Sequence, residues 1–262
     1  MSISTVILTK NEEKNIERAL RSVEFCCEII IIDDYSEDET IQRVKGEGLR
    51  VKSFEEKIKI FRRHLGGDFA GQRNYAMQQT KGEWILFVDA DEIVSDELRN
   101  EIINVVHQNF QPVAYYLRRR DFFWRREMQF GETKKTKEIG IIRLVKKNSG
   151  KWAGKVHEEF KPNGSVGRLS GFLDHYPHQT IKEFLQEVNY YSSVRAKELF
   201  DRGKKTNIFE ILCFPLAKFV LTYFIMLGFL DGPAGFTYAF FMSFHSFLVR
   251  TKLFQYNMKH VT

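Results

Sequence analysis

The sequence predicts an α/β fold in which a mostly parallel sheet is flanked by helices and followed by an apolar helical extension. Over the first 110 residues, short apolar runs alternate with helix-like segments, the pattern of parallel sheets covered on both faces. The length of 262 residues and the 43% hydrophobic content suffice for one large or two small domains of this class. Aromatic residues, including 24 phenylalanines, concentrate toward the C-terminus and indicate the extension.

The first strands and helix are predicted from apolar runs and a polar start signal. Residues 4–8 form a β-branched apolar run, which indicates a buried strand. Residues 11–22 have helical spacing, and Asn11 is expected to cap this helix. Residues 28–32 are a glutamate followed by four isoleucines, which predicts a strand buried on both faces.

The next elements follow the same rules. Ser36 is expected to cap a helix, because acidic residues at 37–39 occupy what would be its first turn. Residues 49–54 are a third strand candidate, and residues 66–80 read as a turn and a helix. Further strands are predicted over residues 82–88, 114–117 and 139–144, and a helix capped by Ser95 should extend to residue 106.

The last third of the chain predicts helices of two kinds. Residues 180–202 form one long polar helix. Residues 208–230 are apolar apart from a few polar positions, residues 231–233 (Asp-Gly-Pro) interrupt them, and residues 234–249 carry no formal charge. We therefore predict a first domain over 1–203, with halves 1–110 and 111–203, and an apolar helical hairpin over 204–262.

Charge and missing motifs narrow the function. Lys and Arg number 40 against 34 Asp and Glu, a net charge of +6 that favours anionic partners such as nucleotides, nucleic acid or a membrane surface. Neither GxGxxG nor GxxxxGK[ST] occurs, which argues against dinucleotide oxidoreductases and P-loop NTPases. Three cysteines, two of them adjacent, give no disulfide framework. With no signal-peptide pattern at the start, we expect a cytoplasmic protein.

Two acidic clusters directly follow predicted strands. Asp33 and Asp34 follow the second strand, and Asp89 and Asp91 follow the strand over 82–88. The carboxyl ends of parallel strands meet at one crevice, and clustered carboxylates there need a cation or a hydrogen-bonding ligand. A divalent ion such as Mg²⁺ or Mn²⁺ is the economical choice. The alternative is that Asp-Ala-Asp is a solvated turn before the helix that Ser95 caps.

Four segments resemble those of bacterial family 2 glycosyltransferases. They are TKNEEKNI at 9–16, IIDDYSEDET at 31–40, AGQRNYAMQQTKGEWILFVDADE at 70–92 and KVHEEF at 155–160. The C-terminal segments 175–199 and 228–253 are similar to those of the lipopolysaccharide core β-glucosyltransferase subgroup. The resemblance covers nearly the whole chain, and it implies the GT-A fold, a Rossmann-like architecture of nucleotide-diphospho-sugar transferases.

The resemblance implies roles for individual residues on the donor side. Arg73 would meet phosphate or the donor sugar, a role that suits guanidinium geometry. Asp89 and Asp91 match the DxD motif, whose last carboxylate reaches a Mn²⁺ or Mg²⁺ ion on the diphosphate. The residues implied for the nucleotide itself are Thr9, Asn11, Glu12, Asp33 and Asp34.

The resemblance also implies a catalytic base. Glu158 is the best match, with Glu159 as the neighbouring alternative, because an inverting transfer needs a carboxylate to take the acceptor hydroxyl's proton. From the residues alone, His157 and Glu158 are typical of a salt bridge in a surface loop. His157 or His175 is a further candidate metal ligand, although a lone histidine is more often structural.

The sequence thus predicts a metal-dependent inverting hexosyltransferase. It would move a hexose, with UDP-glucose the expected donor, to a hydroxyl of an envelope glycan or glycolipid such as the lipopolysaccharide core. It would work at the cytoplasmic face of the membrane, peripherally bound and without a nucleic-acid partner. The alternatives are a polyprenyl-phosphate glycosyltransferase and a non-catalytic GT-A protein that binds membrane or nucleic acid.

Two segments leave alternatives open. Residues 117–126 (LRRRDFFWRR) could contact an anionic acceptor, form a solvated edge strand or, with less support, hold single-stranded nucleic acid. The apolar hairpin could lie in the membrane interface, with Lys204, Lys205, Arg250 and Lys252 facing anionic lipid. It could instead be an unusually apolar soluble subdomain or a dimer contact, or, as a minority view, a two-helix membrane span.

Overall fold

The computed structural model describes residues 2–47, 56–108, 112–154, 158–177 and 179–259. The chain forms two compact units. The first comprises Met1–Arg120 and Thr136–His175, and the second comprises Asp121–Lys135 and Tyr176–Thr262. The division differs from the predicted boundary at residue 203, because the long polar helix and the segment 121–135 belong to the second unit.

The strands form one large sheet and a small separate pair. In chain order they are β1 (Ile3–Thr9), β2 (Glu28–Asp33), β3 (Ile58–Arg62), β4 (Trp84–Asp89), β5 (Glu92–Val94), β6 (Ala114–Phe123), β7 (Arg126–Glu127), β8 (Ile141–Lys146), β9 (Gly150–Ala153), β10 (Glu159–Pro162) and β11 (Val166–His175).

The main sheet has the strand order β3-β2-β1-β4-β8-β6-β11-β5, with β7 paired to the end of β6. Strands β1 to β4 pair in parallel, as predicted. The pairings of β8 with β4 and β6, and of β11 with β5, are antiparallel, so the sheet as a whole is mixed. The separate pair consists of β9 and β10, which are antiparallel.

The centre of the sheet is apolar on both faces. All six residues of β2 are buried, as its isoleucine run predicts, and β1 and β4 are buried along most of their lengths. Two apolar clusters cover the two faces, one containing Ile7, Leu20 and Trp84 and the other containing Ile30 and Phe87. This packing fixes the strand ends at which the acidic clusters lie.

The helices are α1 (Ile16–Ser22), α2 (Thr40–Gln42, continued by a π-helical turn at Arg43–Glu47), α3 (Phe69–Gln79), α4 (Asp96–Val106), α5 (Thr133–Glu138), α6 (Ile181–Asp201), α7 (Ile208–Phe219) and α8 (Gly232–Lys259). Ser95 caps α4 by accepting from the backbone N–H of Leu98, as predicted. Thr180 caps α6 in a capping box with Glu183.

Two predicted helix caps were wrong. Asn11 lies five residues before α1 with a φ of 56°, and its side chain accepts from the backbone N–H of Glu37. Ser36 lies four residues before α2, and its hydroxyl accepts from the backbone N–H of Asn11. Both polar side chains bond across two loops instead of capping their own helices, an interaction that local sequence does not reveal.

Two strand predictions also change. The candidate strand at 49–54 lies outside the described residues, and the described third strand is β3, at the edge of the sheet. Strand β6 continues through most of the basic aromatic segment and lies between β8 and β11. A solvated edge strand was therefore the wrong expectation for residues 117–126.

In the second unit the apolar hairpin is formed by α7 and α8. A π-helical turn (Val220–Ile225) and a 3₁₀ turn (Gly228–Asp231) follow α7. Helix α8 then extends ten residues beyond the predicted end at 249, so Arg250 and Lys252 lie within it. Lys252 donates to acceptors on α6, and Arg250 lies 4.3 Å from the ring centre of Phe214. The two cations predicted to face lipid thus also contact residues of this unit.

Candidate active site

A buried pair of arginines holds Asp89 at the end of β4. Arg73, on α3, donates from Nη2 to Asp89 Oδ1 at 2.9 Å. Arg143, on the antiparallel neighbour β8, donates from Nη2 to Asp89 Oδ2 at 2.5 Å. Both arginines are almost fully buried. Each oxygen of the first DxD carboxylate therefore has a guanidinium partner of fixed geometry.

The electrostatics of this group favour the charged forms. Burial raises the pKa of the Asp89 carboxyl, but the charges of Arg143 and Arg73 outweigh burial and hold that pKa well below its ordinary value. Burial likewise lowers the pKa of Arg143, and the carboxylates of Asp89, Glu92 and Glu158 raise it above its ordinary value. Asp89 is thus an ionised carboxylate whose charge is already compensated by the protein.

Glu92 fixes the backbone of the acidic turn. Its side chain is fully buried, and Oε2 accepts from the backbone N–H of Asp89 at 3.0 Å. Its Oε1 lies 3.6 Å from Arg119 Nη1 and 3.6 Å from Arg143 Nη2. The Asp-Ala-Asp segment is therefore a shaped and charge-paired turn, and the solvated-turn alternative does not describe it.

Asp91 faces His175 from the neighbouring strand pair. Strand β5 pairs with β11 so that His175 lies opposite Glu92, one residue after Asp91. His175 Nε2 lies 3.1 Å from Asp91 Oδ2. Burial raises the pKa of Asp91, while the charge and hydrogen bond of His175 lower it below its ordinary value. The preceding residue, Asp174, is held by Arg120 through contacts of 2.7 and 3.0 Å.

The fit of a divalent cation differs between the two DxD carboxylates. Within the described ranges, no three His, Cys, Asp or Glu side chains form a group that could hold a metal ion by themselves. Both oxygens of Asp89 already meet arginines. Asp91 and His175 supply one carboxylate and one imidazole, a set that suits Mg²⁺ or Mn²⁺ when substrate phosphates provide further oxygens. The other candidate ligand, His157, lies outside the described residues.

Glu158 belongs to the group of charged side chains around Asp89, whereas Glu159 lies outside it. Arg73 Nε donates to Glu158 Oε1 at 3.0 Å, and the Glu158 side chain is 14% exposed. Glu159 begins β10 with a side chain that is 72% exposed and paired with Lys161. Glu158 therefore makes a mostly buried contact with an arginine that also binds Asp89.

The segment Gln72-Arg73-Asn74 is positioned residue by residue. Gln72 exchanges hydrogen bonds with Arg63, and Asn74 exchanges two with the backbone of Trp152 on β9. The Arg73 guanidinium lies 5.0 Å from the ring centre of Trp152 and 5.6 Å from that of Phe87. Aromatic faces and two carboxylates together fix Arg73 in one orientation.

The predicted nucleotide residues line the adjacent strand ends. Strand β1 separates β2 from β4, with Thr9 opposite Asp33 on one side and Leu8 opposite Asp89 on the other. Two strand spacings put Asp33 and Asp89 about 10 Å apart, both at the carboxyl ends of their strands. The two acidic clusters therefore lie at the same end of the parallel strands, as predicted.

The remaining nucleotide candidates belong to two interlocked loops at this edge. Asn11 bonds to the loop after β2, and the backbone N–H of Glu12 donates to Thr40 Oγ1 at 2.7 Å. Asp34, mostly buried, accepts from Lys10 Nζ at 2.9 Å and from the backbone N–H of Leu65 at 3.1 Å. These bonds give the edge a defined shape before any ligand binds.

Two features of the site were missed by sequence reasoning. Arg143 has no recognisable motif, and only the antiparallel pairing of β8 with β4 brings it to Asp89. Tyr35, beside Asp34, has a φ of 53° and stacks on His64 with ring centres 4.0 Å apart. An aromatic residue directly after the acidic pair is the signal that could have drawn attention to Tyr35.

The site brings three parts together. They are the carboxylate of Glu158, the acidic turn after β4 whose charge is compensated by arginines, and the polar loops that follow β1 and β2. Arg73 links the first two parts, because it binds Glu158 and Asp89 at once. Such a site can place an anionic ligand beside a carboxylate that is able to accept a proton.

Comparison with known proteins shows which family of sequences this chain resembles. The family model "Glycosyl transferase family 2" matches residues 4–155. An uncharacterized glycosyltransferase of Rickettsia typhi is 30% identical over 98% of this chain and 88% of its own length. The lipopolysaccharide core biosynthesis glycosyltransferase LpsC of Rhizobium meliloti is 26% identical over 97% of this chain and 93% of its own length.

A solved structure has a similar fold. The crystal structure of S. aureus TarS residues 1–349 in complex with UDP-GlcNAc matches with a TM-score of 0.51 and 13% sequence identity. The match covers 99% of this chain and 92% of the TarS chain. At this identity the likeness concerns the fold alone, and it agrees with the GT-A architecture that the sequence predicts.

Proposed function

The chain belongs to glycosyltransferase family 2, and from that premise we propose that it is an inverting hexosyltransferase that uses a nucleotide-diphosphate sugar. The acceptor would be a hydroxyl of an envelope glycan or glycolipid such as the lipopolysaccharide core. The observation that carries the proposal is the contact of one buried arginine, Arg73, with both Glu158 and Asp89. It joins the predicted base to the turn expected to bind the donor diphosphate.

Glu158 is the proposed general base. Its carboxylate would take the proton of the acceptor hydroxyl as that oxygen attacks the sugar carbon from the face opposite the leaving diphosphate. The hydrogen bond from Arg73 Nε leaves Glu158 Oε2 as the oxygen to receive the proton. Arg73 orients this base, and the exposed pair that Glu159 makes with Lys161 favours Glu158 over Glu159.

The donor side is proposed at the edge formed by β1, β2 and β4. Asp33 and Asp34 would accept hydrogen bonds from base and ribose, in a cradle completed by Thr9, Asn11 and Glu12. Tyr35 would offer its exposed ring to the base. The TarS complex with UDP-GlcNAc, a protein of the same fold, supports a uridine nucleotide as the first donor to test, with UDP-glucose the expected sugar.

Asp91 and His175 would hold a Mn²⁺ or Mg²⁺ ion, which would supply positive charge for the leaving diphosphate. The charge of Asp89 is compensated by Arg73 and Arg143, so Asp91 is the DxD carboxylate proposed to contact the ion. Glu92 keeps the turn in shape by accepting from the backbone N–H of Asp89. In this proposal the side chains around the acidic turn orient the donor.

The acceptor class and the location are proposed from the relatives and the composition. LpsC is named for lipopolysaccharide core biosynthesis, and the similarity extends over nearly all of both chains. An envelope glycolipid of that kind would be met at the cytoplasmic face of the membrane. A net charge of +6 is compatible with that surface.

The proposal is tested first by calorimetric titration of UDP into the full chain, with and without Mn²⁺. We expect binding that Mn²⁺ strengthens and that Asp91→Ala weakens at least tenfold, about 1.4 kcal/mol. Asp96→Ala, on the exposed start of α4, is the control and should bind as the unaltered protein does. If UDP, GDP and dTDP all fail to bind with metal present, the transferase proposal is wrong.

A second test addresses the base. Glu158→Gln should lower turnover by about 10²–10⁴-fold while UDP still binds, because the amide cannot accept the proton. The neighbouring Glu159→Gln is the matched control and should keep near-normal turnover. Retained turnover in Glu158→Gln would remove Glu158 from the mechanism and would favour an acceptor that needs no base, such as a polyprenyl phosphate.

A further inference from the structure

The second unit exposes a large apolar surface on α7 and the turns that follow it. We call this surface the apolar band and define it by the exposed apolar side chains of residues 208–230. Its most exposed members include Ile208, Phe209, Leu212, Leu216 and Ile225, each between 63% and 72% exposed. The segment Ile208–Ile225 has a mean hydropathy of 1.9 and is long enough to cross a membrane by length and composition.

Two polar side chains of this segment, Lys218 and Thr222, contact another part of the same unit. Lys218 forms an ion pair with Glu132, and the buried Thr222 hydroxyl donates to the same carboxylate at 3.2 Å. Ile211 is the buried apolar position of α7. At about 100° per residue, the exposed side chains of α7 cover about two thirds of the helix circumference. A rigid partner helix would cover one stripe of such a surface, whereas lipid chains can surround all of it.

A strained hairpin tip lies beside the band. Trp124 and Arg125 form the two-residue turn between β6 and β7 with φ values of 51° and 62°. The left-handed region is unfavourable for both residue types, and hairpins of this length usually place Asn or Gly there. Trp124 is nevertheless 42% exposed, with Arg125 and Arg126 exposed beside it.

Hydrogen bonds that involve backbone groups join this hairpin and the loop after it to the band and to Asp231. Arg126 Nη2 donates to the carbonyl of Leu230 at 3.5 Å, and the backbone N–H of Gly131 donates to the carbonyl of Met226 at 3.0 Å. The buried Asp231 carboxylate accepts from the backbone N–H groups of Gln129 and Phe130. The hairpin and the turns after α7 therefore form one continuous surface within this unit.

We propose that the apolar band and the Trp124–Arg125 tip dock together on an anionic bilayer surface, with Trp124 at the level of the lipid headgroups. Tryptophan and arginine combine an apolar body with a polar end, which suits that level. Exposed Lys204 and Lys205, just before α7, add positive charge at the edge of the band. The docking stands on this unit's own structure, and only the choice of cell membrane rests on the proposed function.

Docking in the interface fits the contacts better than a transmembrane crossing. Lys218 and Thr222, both inside the Ile208–Ile225 segment, contact Glu132, which belongs to the loop between β7 and α5. A crossing helix would carry that irregular loop into the hydrocarbon core, where backbone groups exposed to lipid have no partners. An interfacial position leaves the loop outside the core.

Tryptophan fluorescence tests the docking directly, because one tryptophan is exposed on the proposed docking surface. The chain has three tryptophans. Trp84 and Trp152 are 0% and 5% exposed, so Trp124 is the reporter that lipid can reach. The full-length protein is mixed with phosphatidylglycerol vesicles that contain brominated phosphatidylcholine. We expect sedimentation with the vesicles, a blue shift and bromine quenching that Trp124→Phe abolishes.

Matched variants define the surface. Leu212→Glu with Leu216→Glu should weaken vesicle binding by about tenfold or more, because it puts two carboxylates in contact with an anionic, apolar surface. Ile139→Glu, at a 44% exposed position of the first unit, should bind within about twofold of the unaltered protein. Asp91→Ala should bind vesicles normally even though its UDP binding is weakened, so the two proposals can fail separately.

Three outcomes would overturn the inference. One is failure to sediment with anionic vesicles, and another is sedimentation without quenching of Trp124. The third is a blue shift without vesicles that grows with protein concentration and accompanies a dimer in light scattering, since the band would then contact a second copy of the chain.

Discussion

At the scale of single residues, Arg143 is the side chain whose loss we expect to destabilise the protein most. It is buried, and its guanidinium compensates the charge of Asp89 while lying 3.6 Å from Glu92. Removing one partner of a buried ion pair leaves a charge without compensation, which costs more than the pair itself contributes.

We therefore expect Arg143→Ala to lower the free energy of unfolding by about 3–5 kcal/mol, and Arg143→Lys to lower it less. Urea denaturation measures both. Lys146→Ala on the same strand is the control, because its pair with Glu83 is about 40% exposed on both sides and should contribute less than about 1 kcal/mol. Equal effects of Arg143→Ala and Lys146→Ala would contradict the role assigned to Arg143.

Glu28, at the opposite end of the sheet, connects ionisation with stability. Its carboxylate accepts from Ser4 Oγ, Lys59 Nζ and the backbone N–H of Lys81. Burial raises the pKa of this carboxyl, but the hydrogen bonds outweigh burial and hold the pKa below its ordinary value. A lowered folded-state pKa stabilises the protein above the unfolded-state value, near pH 4.3, and the stabilisation is lost as pH falls through the folded value.

Glu28→Gln should therefore destabilise the protein at pH 7 by about 1–3 kcal/mol, and the difference from the unaltered protein should shrink as pH falls below about 4. Denaturation midpoints over this pH range provide the measurement. Glu83→Gln, a 40% exposed glutamate, should give little difference at any pH. A difference for Glu28→Gln that stayed constant with pH would exclude charge as its origin.

At the scale of elements, Asp231 ties the β6–β7 hairpin and its following loop to the turn before α8. Its carboxylate is 1% exposed and accepts from the backbone N–H groups of Gln129 and Phe130. Asp231→Ala would leave these donors without acceptors, and we expect a loss of about 1–3 kcal/mol in the free energy of unfolding. Asp201→Ala, at the exposed end of α6, is the control for a simple loss of charge.

The elements also separate what local sequence can predict from what it cannot. Ser95 and Thr180 cap the helices that directly follow them, because each bonds within its own first turn. Asn11 and Ser36 have equally good capping chemistry and bond to each other's loops instead. That choice requires β1 and β2 to be adjacent, which is a property of the sheet and not of either segment.

At the scale of the whole molecule, net charge and apolar surface predict different responses to salt. Attraction of a +6 protein to an anionic bilayer is screened as the Debye length falls from about 10 Å at 0.1 M salt to about 3 Å at 1 M. Burial of the apolar band is not screened in this way. Vesicle binding by the unaltered protein should therefore weaken with salt and level off above zero.

The Leu212→Glu, Leu216→Glu variant should instead lose its remaining binding at high salt, because its apolar contribution is reduced. Sedimentation with phosphatidylglycerol vesicles at several salt concentrations measures both proteins. Binding by the unaltered protein that fell to zero at 1 M salt would indicate a purely electrostatic contact.

The sequence by itself determined the family, the GT-A class and the acidic turn after β4, because apolar periodicity and motif order are local properties of the chain. It also pointed to Glu158 through a motif. The tertiary structure decided which groups meet: Arg143 reaches Asp89 through strand pairing, and Arg73 contacts Asp89 and Glu158, which lie far apart in the chain. Such contacts depend on which strands become neighbours, and the packing of the whole sheet sets that.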